Sequence, residues 1–194
     1  MRWSRPLLGL IGTMTLAGCG DLAGILPTAQ PAGPVTRTVA QGGRFITLAG
    51  PRIQHAEPFL GVPGTNFYLL RSMIDRRTGE IVHQLYVEDS YFGAERNWNA
   101  AREATGQPLR FIAISKNEIT CEGACSYAEE FAAALPEALL RADPQNLTVI
   151  FTARSGAEKA IAVPSELIAR QLAAAGEARA TLPAAAAAPP APQR

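Results

Sequence analysis

The side chains of this chain that could do chemistry are few: three cysteines, two histidines, and one stretch where carboxylates and aromatic rings crowd together. Cys121 and Cys125 lie in TCEGACSY, separated by three residues that include Gly123. If the flanking runs are paired strands, facing residues of a tight hairpin sit about 4.5–5.5 Å apart at Cα, within the span of a disulfide. Such a cystine closes a very small loop, so chain entropy yields about 2 kcal/mol and the bond serves to hold register at the hairpin end. Thiol exchange prefers Cys-x-x-Cys at a helix start, where the helix dipole stabilises a thiolate, and a longer spacing in a turn suits that poorly. Zinc asks for about four ligands. His55 and His83 are isolated from each other and far from the cysteines in sequence, so no metal site is expected.

Glu88 and Asp89, followed by SYFGAERNW, bring Tyr91, Phe92, Arg96 and Trp98 into one short stretch, which is the first place to look for a ligand groove. The competing reading is that these rings close one end of a sheet. Glu129 and Glu130 are consecutive; on a strand they face opposite ways, which argues against a shared carboxylate site. His83 lies mid-strand, where a partner-satisfied imidazole is commoner than a catalytic base, and His55, in IQHAEP, is a loop residue within reach of Glu57. No G-x-S-x-G, P-loop, H-E-x-x-H or G-x-G-x-x-G occurs, so neither a familiar catalytic centre nor a cofactor is expected.

The third cysteine, Cys19, follows MRWSRPLLGLIGTMTLAG: two arginines, an apolar stretch from Leu7 to Ala17, then small residues. Those eleven positions would rise about 16 Å as a helix, roughly half a bilayer core, so they read as a signal-peptide core and not a permanent span. Leu16-Ala17-Gly18-Cys19 resembles the lipobox of bacterial lipoproteins. The resemblance implies diacylglyceryl transfer to the Cys19 thiol, cleavage after Gly18 and acylation of the new amino terminus, with two or more acyl chains anchoring the protein stably in a membrane. In enteric bacteria an aspartate directly after the cysteine retains lipoproteins in the inner membrane; here Gly20 takes that place and Asp21 follows, which leans toward the outer membrane. Loss of Arg2 and Arg5 leaves 16 basic against 17 acidic residues, a net charge near −1. Without a basic excess, nucleic acid has no electrostatic footprint to bind.

The elements that must position these groups follow from patterning. Residues 1–18 read as leader, 19–40 as lipidated cysteine and flexible tether, 41–178 as one α+β domain, and 179–194 as an Ala/Pro-rich disordered tail. Within the domain, Asn66 to Ile74 and Glu80 to Glu88 alternate as two strands around DRRTG, with Gly79 where positive φ is wanted. Both faces of this hairpin are partly apolar, which predicts a central place in a sheet. Residues 109–121 read as a further strand, and LTVIFTA and KAIAVP as a hairpin across RSGAE. Tyr127 to Leu135 reads as strand, and Glu137 to Ala142 as a short helix after Pro136. Leu167, Ile168, Leu172 and Ala175 share a helical face that Gly176 can end. NWNAAREATGQP fits a strand or a helical turn, with strand favoured by Trp98 and the turn that follows. The expected fold is α+β: a mainly antiparallel sheet of five to seven strands with one or two helices near the C-terminal end.

Over about residues 60 to 140 the chain is similar to uncharacterised proteobacterial envelope proteins with an aromatic-rich hairpin followed by a Cys-turn-Cys hairpin, a similarity that implies no activity. The expectation is a lipid-anchored, periplasm-facing protein of the cell envelope whose domain binds or scaffolds an envelope protein or the cell wall. Two other readings stand beside it: an envelope enzyme with a pocket around His83, Glu88 and Asp89, and a binder of a small apolar ligand in a cavity lined by Phe67, Leu85 and Phe111.

Overall fold

A computed structural model describes residues 33–142, 145 and 147–182. The leader, Cys19, most of the tether and residues 183–194 of the tail lie outside the described residues. The fold is α+β. Strands β1 (Thr36–Val39), β2 (Phe45–Ala49), β3 (Ile53–Gln54), β4 (Phe67–Asp75), β5 (Ile81–Phe92), β8 (Phe111–Thr120) and β9 (Ser126–Leu135) form one antiparallel sheet. Its order is β1-β2-β4-β5-β9-β8, with β3 also pairing β4. Strands β6 (Trp98–Glu103), β7 (Pro108–Leu109), β10 (Thr148–Ala153) and β11 (Glu158–Ala162) form a second sheet in the order β11-β10-β6-β7. Helices α1 (Glu137–Ala142) and α2 (Ser165–Ala180) complete it.

The hairpin predicted around Gly79 is β4–β5, and it lies centrally in the first sheet as its two apolar faces required. Gly79 has φ 73° and its N–H donates to the Asp75 carbonyl at 2.7 Å, closing a turn that the Asp75 carboxylate braces from the Arg77 N–H at 2.8 Å. Alternation along β4 and β5 sends Tyr68, Leu70, Leu85 and Val87 inward against Val149, Phe151, Ile161 and Val163 of the second sheet and its flank. Phe131 is the centre of this core, with ring centroids 5.2 Å from Trp98, 5.9 Å from Phe111 and 4.9 Å from Phe151. A smaller cluster of Ile46, Leu48 and Ile74 is covered by Ala175 and Ala178 of α2.

Two boundaries differ from the patterning. β1 begins at Thr36, inside the stretch read as tether, because Thr36 and Thr38 direct their hydroxyls to the Ala49 and Thr47 carbonyls as the strand joins the sheet edge. α2 runs through Gly176 to Ala180, since Ala175 and Ala178 still have Ile46 and Ile74 to pack on. Gly50 interrupts the line of β2 and β3 where α2 comes closest: a Cβ there would stand 3.2 Å from both Leu167 Cδ1 and the Leu70 carbonyl oxygen. Both helices start directly after a proline, Pro136 and Pro164, whose carbonyls accept the first helical N–H groups.

Cys121 and Cys125 are disulfide-bonded across the β8–β9 turn. Replacing both with serine is expected to lower the unfolding free energy by about 2 kcal/mol. Urea unfolding with and without reductant checks this: the wild-type midpoint should fall on reduction and the double variant's should not move.

Candidate functional site

The acidic and aromatic stretch that follows Glu88 is sorted by strand alternation into two groups on opposite faces of the first sheet. Asp89 and Tyr91 point inward, toward the second sheet; Glu88 and Phe92 point outward. One groove containing all six expected residues therefore does not form. On the outer side, the Glu88 carboxylate accepts the Asn66 N–H and the Ser90 hydroxyl, while Asn66 Oδ1 accepts the Ser90 N–H at 2.8 Å and Asn66 Nδ2 donates to the Glu57 carbonyl at 2.8 Å. Asn66 holds φ 55°, which lets one side chain tie the loop before β4 to the end of β5. Phe92 packs on Phe59, with ring centroids 4.7 Å apart and the rings tilted, and is otherwise exposed.

On the inner side Asp89 is buried and has three donors. Its Oδ2 accepts Arg96 Nη1 at 2.7 Å and Trp98 Nε1 at 2.9 Å, and Lys159 Nζ stands 3.1 Å from Oδ1. Glu129, also buried, accepts the Tyr91 hydroxyl, the Asn97 N–H at 3.0 Å and the Trp98 N–H at 3.1 Å. The Tyr91 oxygen in turn accepts the Arg96 N–H at 2.8 Å, and the Arg96 guanidinium lies 4.0 Å over the Tyr91 ring. Burial, with the Glu129 carboxylate beside it, pushes the Tyr91 hydroxyl's pKa far up, so it stays a proton donor. Asp89 and Glu129 belong to one sheet while Trp98 and Lys159 belong to the other, so two carboxylates clamp the sheets together at this end. A buried carboxylate is tolerable only when such donors replace its water.

Sequence reasoning missed half of this clamp. Glu129 and Glu130 do face opposite ways; what their spacing does not show is that Glu129 pairs with Asp89 in register across β5–β9. Lys159, Asn66 and Asn97 carried no local signal. His55 does not meet Glu57: its Nε2 lies 2.8 Å from the Glu88 carbonyl and its Nδ1 3.1 Å from Lys159 Nζ. With Lys159 donating to Nδ1, the neutral Nε2–H tautomer satisfies both contacts. Burial first, then Lys159, lowers its pKa.

The pocket expected around His83, Glu88 and Asp89 does not form. His83 and Asp89 share the inner face six residues apart on β5, about 20 Å, and Glu88 is on the outer face. His83 faces Ser72, whose hydroxyl donates to His83 Nδ1 at 2.8 Å while accepting Gln171 Nε2 at 2.8 Å; His83 Nε2 looks toward Glu137 at 3.9 Å. Ser, His and Glu in this order resemble a hydrolase relay, but His83 Nε2 makes no hydrogen bond, Ser72 is fully buried and Gln171 occupies its free side. No substrate carbonyl could reach the hydroxyl. Nor does one apolar cavity take Phe67, Leu85 and Phe111: Phe67 is on the outer face under the Arg52 guanidinium, and Leu85 is packed within the core.

Burial holds the His83 pKa below the ordinary value of 6.5, as it does for His55. Both imidazoles are neutral in the fold and protonate more readily unfolded. The unfolded chain therefore takes up protons first as pH falls below about 6.5, and stability is lost from there downward. Urea midpoints should drop between pH 7.5 and 5.5, with a shallower slope in His83→Gln; equal midpoints would refute the neutral assignment.

Among the accessible depressions, one of about 430 Å³ lies between α1 and α2, one of about 300 Å³ is lined by His83, Leu109, Pro136 and Glu137, and a cleft of about 350 Å³ lies between β6 and β8, floored by Phe131 and lined by Asn97, Trp98, Phe111, Lys116, Glu129 and Arg154. β7 covers only Ala101 and Arg102 of β6, and β8 is an edge strand paired on one side. β8 carries irregularities at Ile114 and Ile119, and Lys116 Nζ donates to Glu95 and Asn97 at 2.6 and 2.9 Å. Bulges and a lysine blunt an edge without covering it. Among the described residues no group of three or more His, Cys, Asp or Glu could hold a metal ion. Comparison with protein-family profiles, with curated proteins and with solved structures finds no match.

Proposed function

We propose that this chain is a lipid-anchored protein of the bacterial envelope, held in the outer membrane through Cys19, whose domain binds a partner and performs no covalent chemistry. The carrying observation is that Asp89, Glu129, Ser72 and His83 are buried, with Ser72 held against His83 and both carboxylates taken up by their own donors, Glu129 at the wall of the cleft included, while the cleft between β6 and β8 stays open. A polar cleft beside two unpaired strand edges suits an extended segment of an envelope protein, whose backbone can continue the sheet while side chains enter between Trp98 and Phe111. The anchor is supported by LAGC and by cysteine count: Cys121 and Cys125 are disulfide-bonded to each other, which leaves Cys19 as the odd one. No helix among the described residues is long and apolar enough to cross a membrane.

The intact mass of protein extracted from membranes tests the anchor. A chain starting at Cys19, heavier by two or three acyl chains and gaining two protons on reduction, is expected. An unacylated chain beginning elsewhere refutes it. Photo-crosslinking from Ser115 beside the cleft tests the binding: a single envelope protein captured from Ser115 and not from Thr78 is expected, and equal capture at both places refutes it.

A further inference from the structure

We propose that the end of the first sheet carrying Leu60, Val62 and Phe92 is a docking rim that rests on the lipid bilayer in which Cys19 is anchored; this rests on the lipoprotein reading above. β4 runs away from this end, and β5 and β9 meet there, with Phe92 opposite Ser126. The loop between β3 and β4, the turn after Phe92 and the Cys121–Cys125 turn all lie at it. Of the seven large apolar side chains exposed among the described residues, four are here: Leu60, Val62, Phe92 and Ile119. Val39 and Phe45 are at the opposite end, Phe45 beneath the Arg44 guanidinium, and Ile114 is midway.

The rim is displayed by a loop with its own hydrogen bonds. Leu60 is 69% exposed and sits at φ 52°, a backbone state that a leucine rarely adopts. Around it the Gly61 N–H donates to Pro58 and the Val62 N–H to Phe59. Thr65 Oγ1 accepts the Phe59 N–H and donates to the Val62 carbonyl, each at 2.8 Å. Phe59 is buried against Phe92, its ring tilted at 4.7 Å, so the loop and the end of β5 form one surface. Strain of this kind persists where the surroundings impose it, and here it turns an apolar side chain outward.

The chain's entry and exit choose the occupant. Thr36 pairs with Ala49, and Gly33 reaches back along β2 to sit against Pro51, so the described chain enters from the rim's end. Thirteen residues lie between Cys19 and Gly33, fourteen Cα steps with a reach of at most about 50 Å. α2 instead carries Ala178 and Leu182 to the far end beside Ile46 and Ile74. The lipidated cysteine is thus tied to the end that shows apolar side chains, and the C-terminal tail leaves from the other. Side chains of this kind enter the boundary between headgroups and acyl chains to about 5–10 Å.

The test uses the full lipidated protein, reconstituted into phosphatidylethanolamine and phosphatidylglycerol vesicles with or without brominated acyl chains. Leu60→Trp and Val62→Trp place a probe on the rim, and Thr78→Trp places one at the far turn. Brominated lipid should cut emission from the rim probes about two-fold, with a blue shift, and leave Thr78→Trp unchanged. Two rim probes guard against misfolding of one. Unquenched rim emission in acylated protein that floats with the vesicles overturns the rim and leaves the anchor standing. A blue shift without quenching means that protein covers the rim, and overturns it equally. Absence of acyl mass removes the anchor, and the rim proposal with it.

Discussion

Replacing Glu129 with alanine is expected to destabilise the domain by about 3–5 kcal/mol, a large share of what a domain this size has. The carboxylate is the acceptor for the Tyr91 hydroxyl and for the backbone N–H groups of Asn97 and Trp98. Truncation leaves all three donors without their acceptor where water enters poorly, and an unmet buried donor costs about 1–3 kcal/mol. It also frees the start of β6, so the sheets lose their clamp at one end. Glu129→Gln keeps one oxygen but turns an amide N–H₂ toward the donors, and should recover less than half of the loss. Urea unfolding followed by tryptophan emission reads this directly, since Trp98 lies at the clamp. A loss below about 1 kcal/mol would mean the carboxylate is replaced by solvent and the clamp carries no stability.

Phe131→Ala should cost a similar amount, about 3–5 kcal/mol, by a different route. Phe131 is 1% exposed and is ringed by Trp98, Phe111 and Phe151, so truncation opens a void between the two sheets that rigid aromatic neighbours fill poorly. The two variants are distinguishable by repair. Phe131→Leu should return more than half of the stability because it restores volume, whereas no apolar replacement repairs Glu129. Equal stability of Phe131→Ala and wild type would place the core elsewhere.

Strand alternation made much of this fold legible. The β4–β5 hairpin, its central place, the strand before Pro136 and the helices after both prolines all follow from local pattern, because each is decided by neighbours in sequence. The grouping around Asp89 was only half legible. Aromatic and acidic residues sit together between Glu88 and Trp98, but alternation divides them between faces, and the partners that complete the clamp are Glu129 and Lys159, distant in the chain. Their meeting depends on how the second sheet lies over the first, which no local spacing encodes. The same holds for Ser72, His83 and Gln171: the first two are in register across β4–β5, and the third arrives on α2.

That late arrival governs how the domain can form. Gln171 donates to the Leu48 carbonyl, 123 residues away in the chain, and the Tyr68 hydroxyl donates to the Ala162 carbonyl, 94 residues away. Pairings this distant must close large loops before any contact rewards them, which places folding in the slow range of milliseconds to seconds. α2 supplies the cover for Ile46, Leu48 and Ile74, so a chain emerging from its N-terminal end holds an uncovered sheet until residues 165–180 have emerged. Folding of this domain is therefore completed only after α2 is available to dock, and the interval before it docks is when the uncovered sheet is most exposed to aggregation.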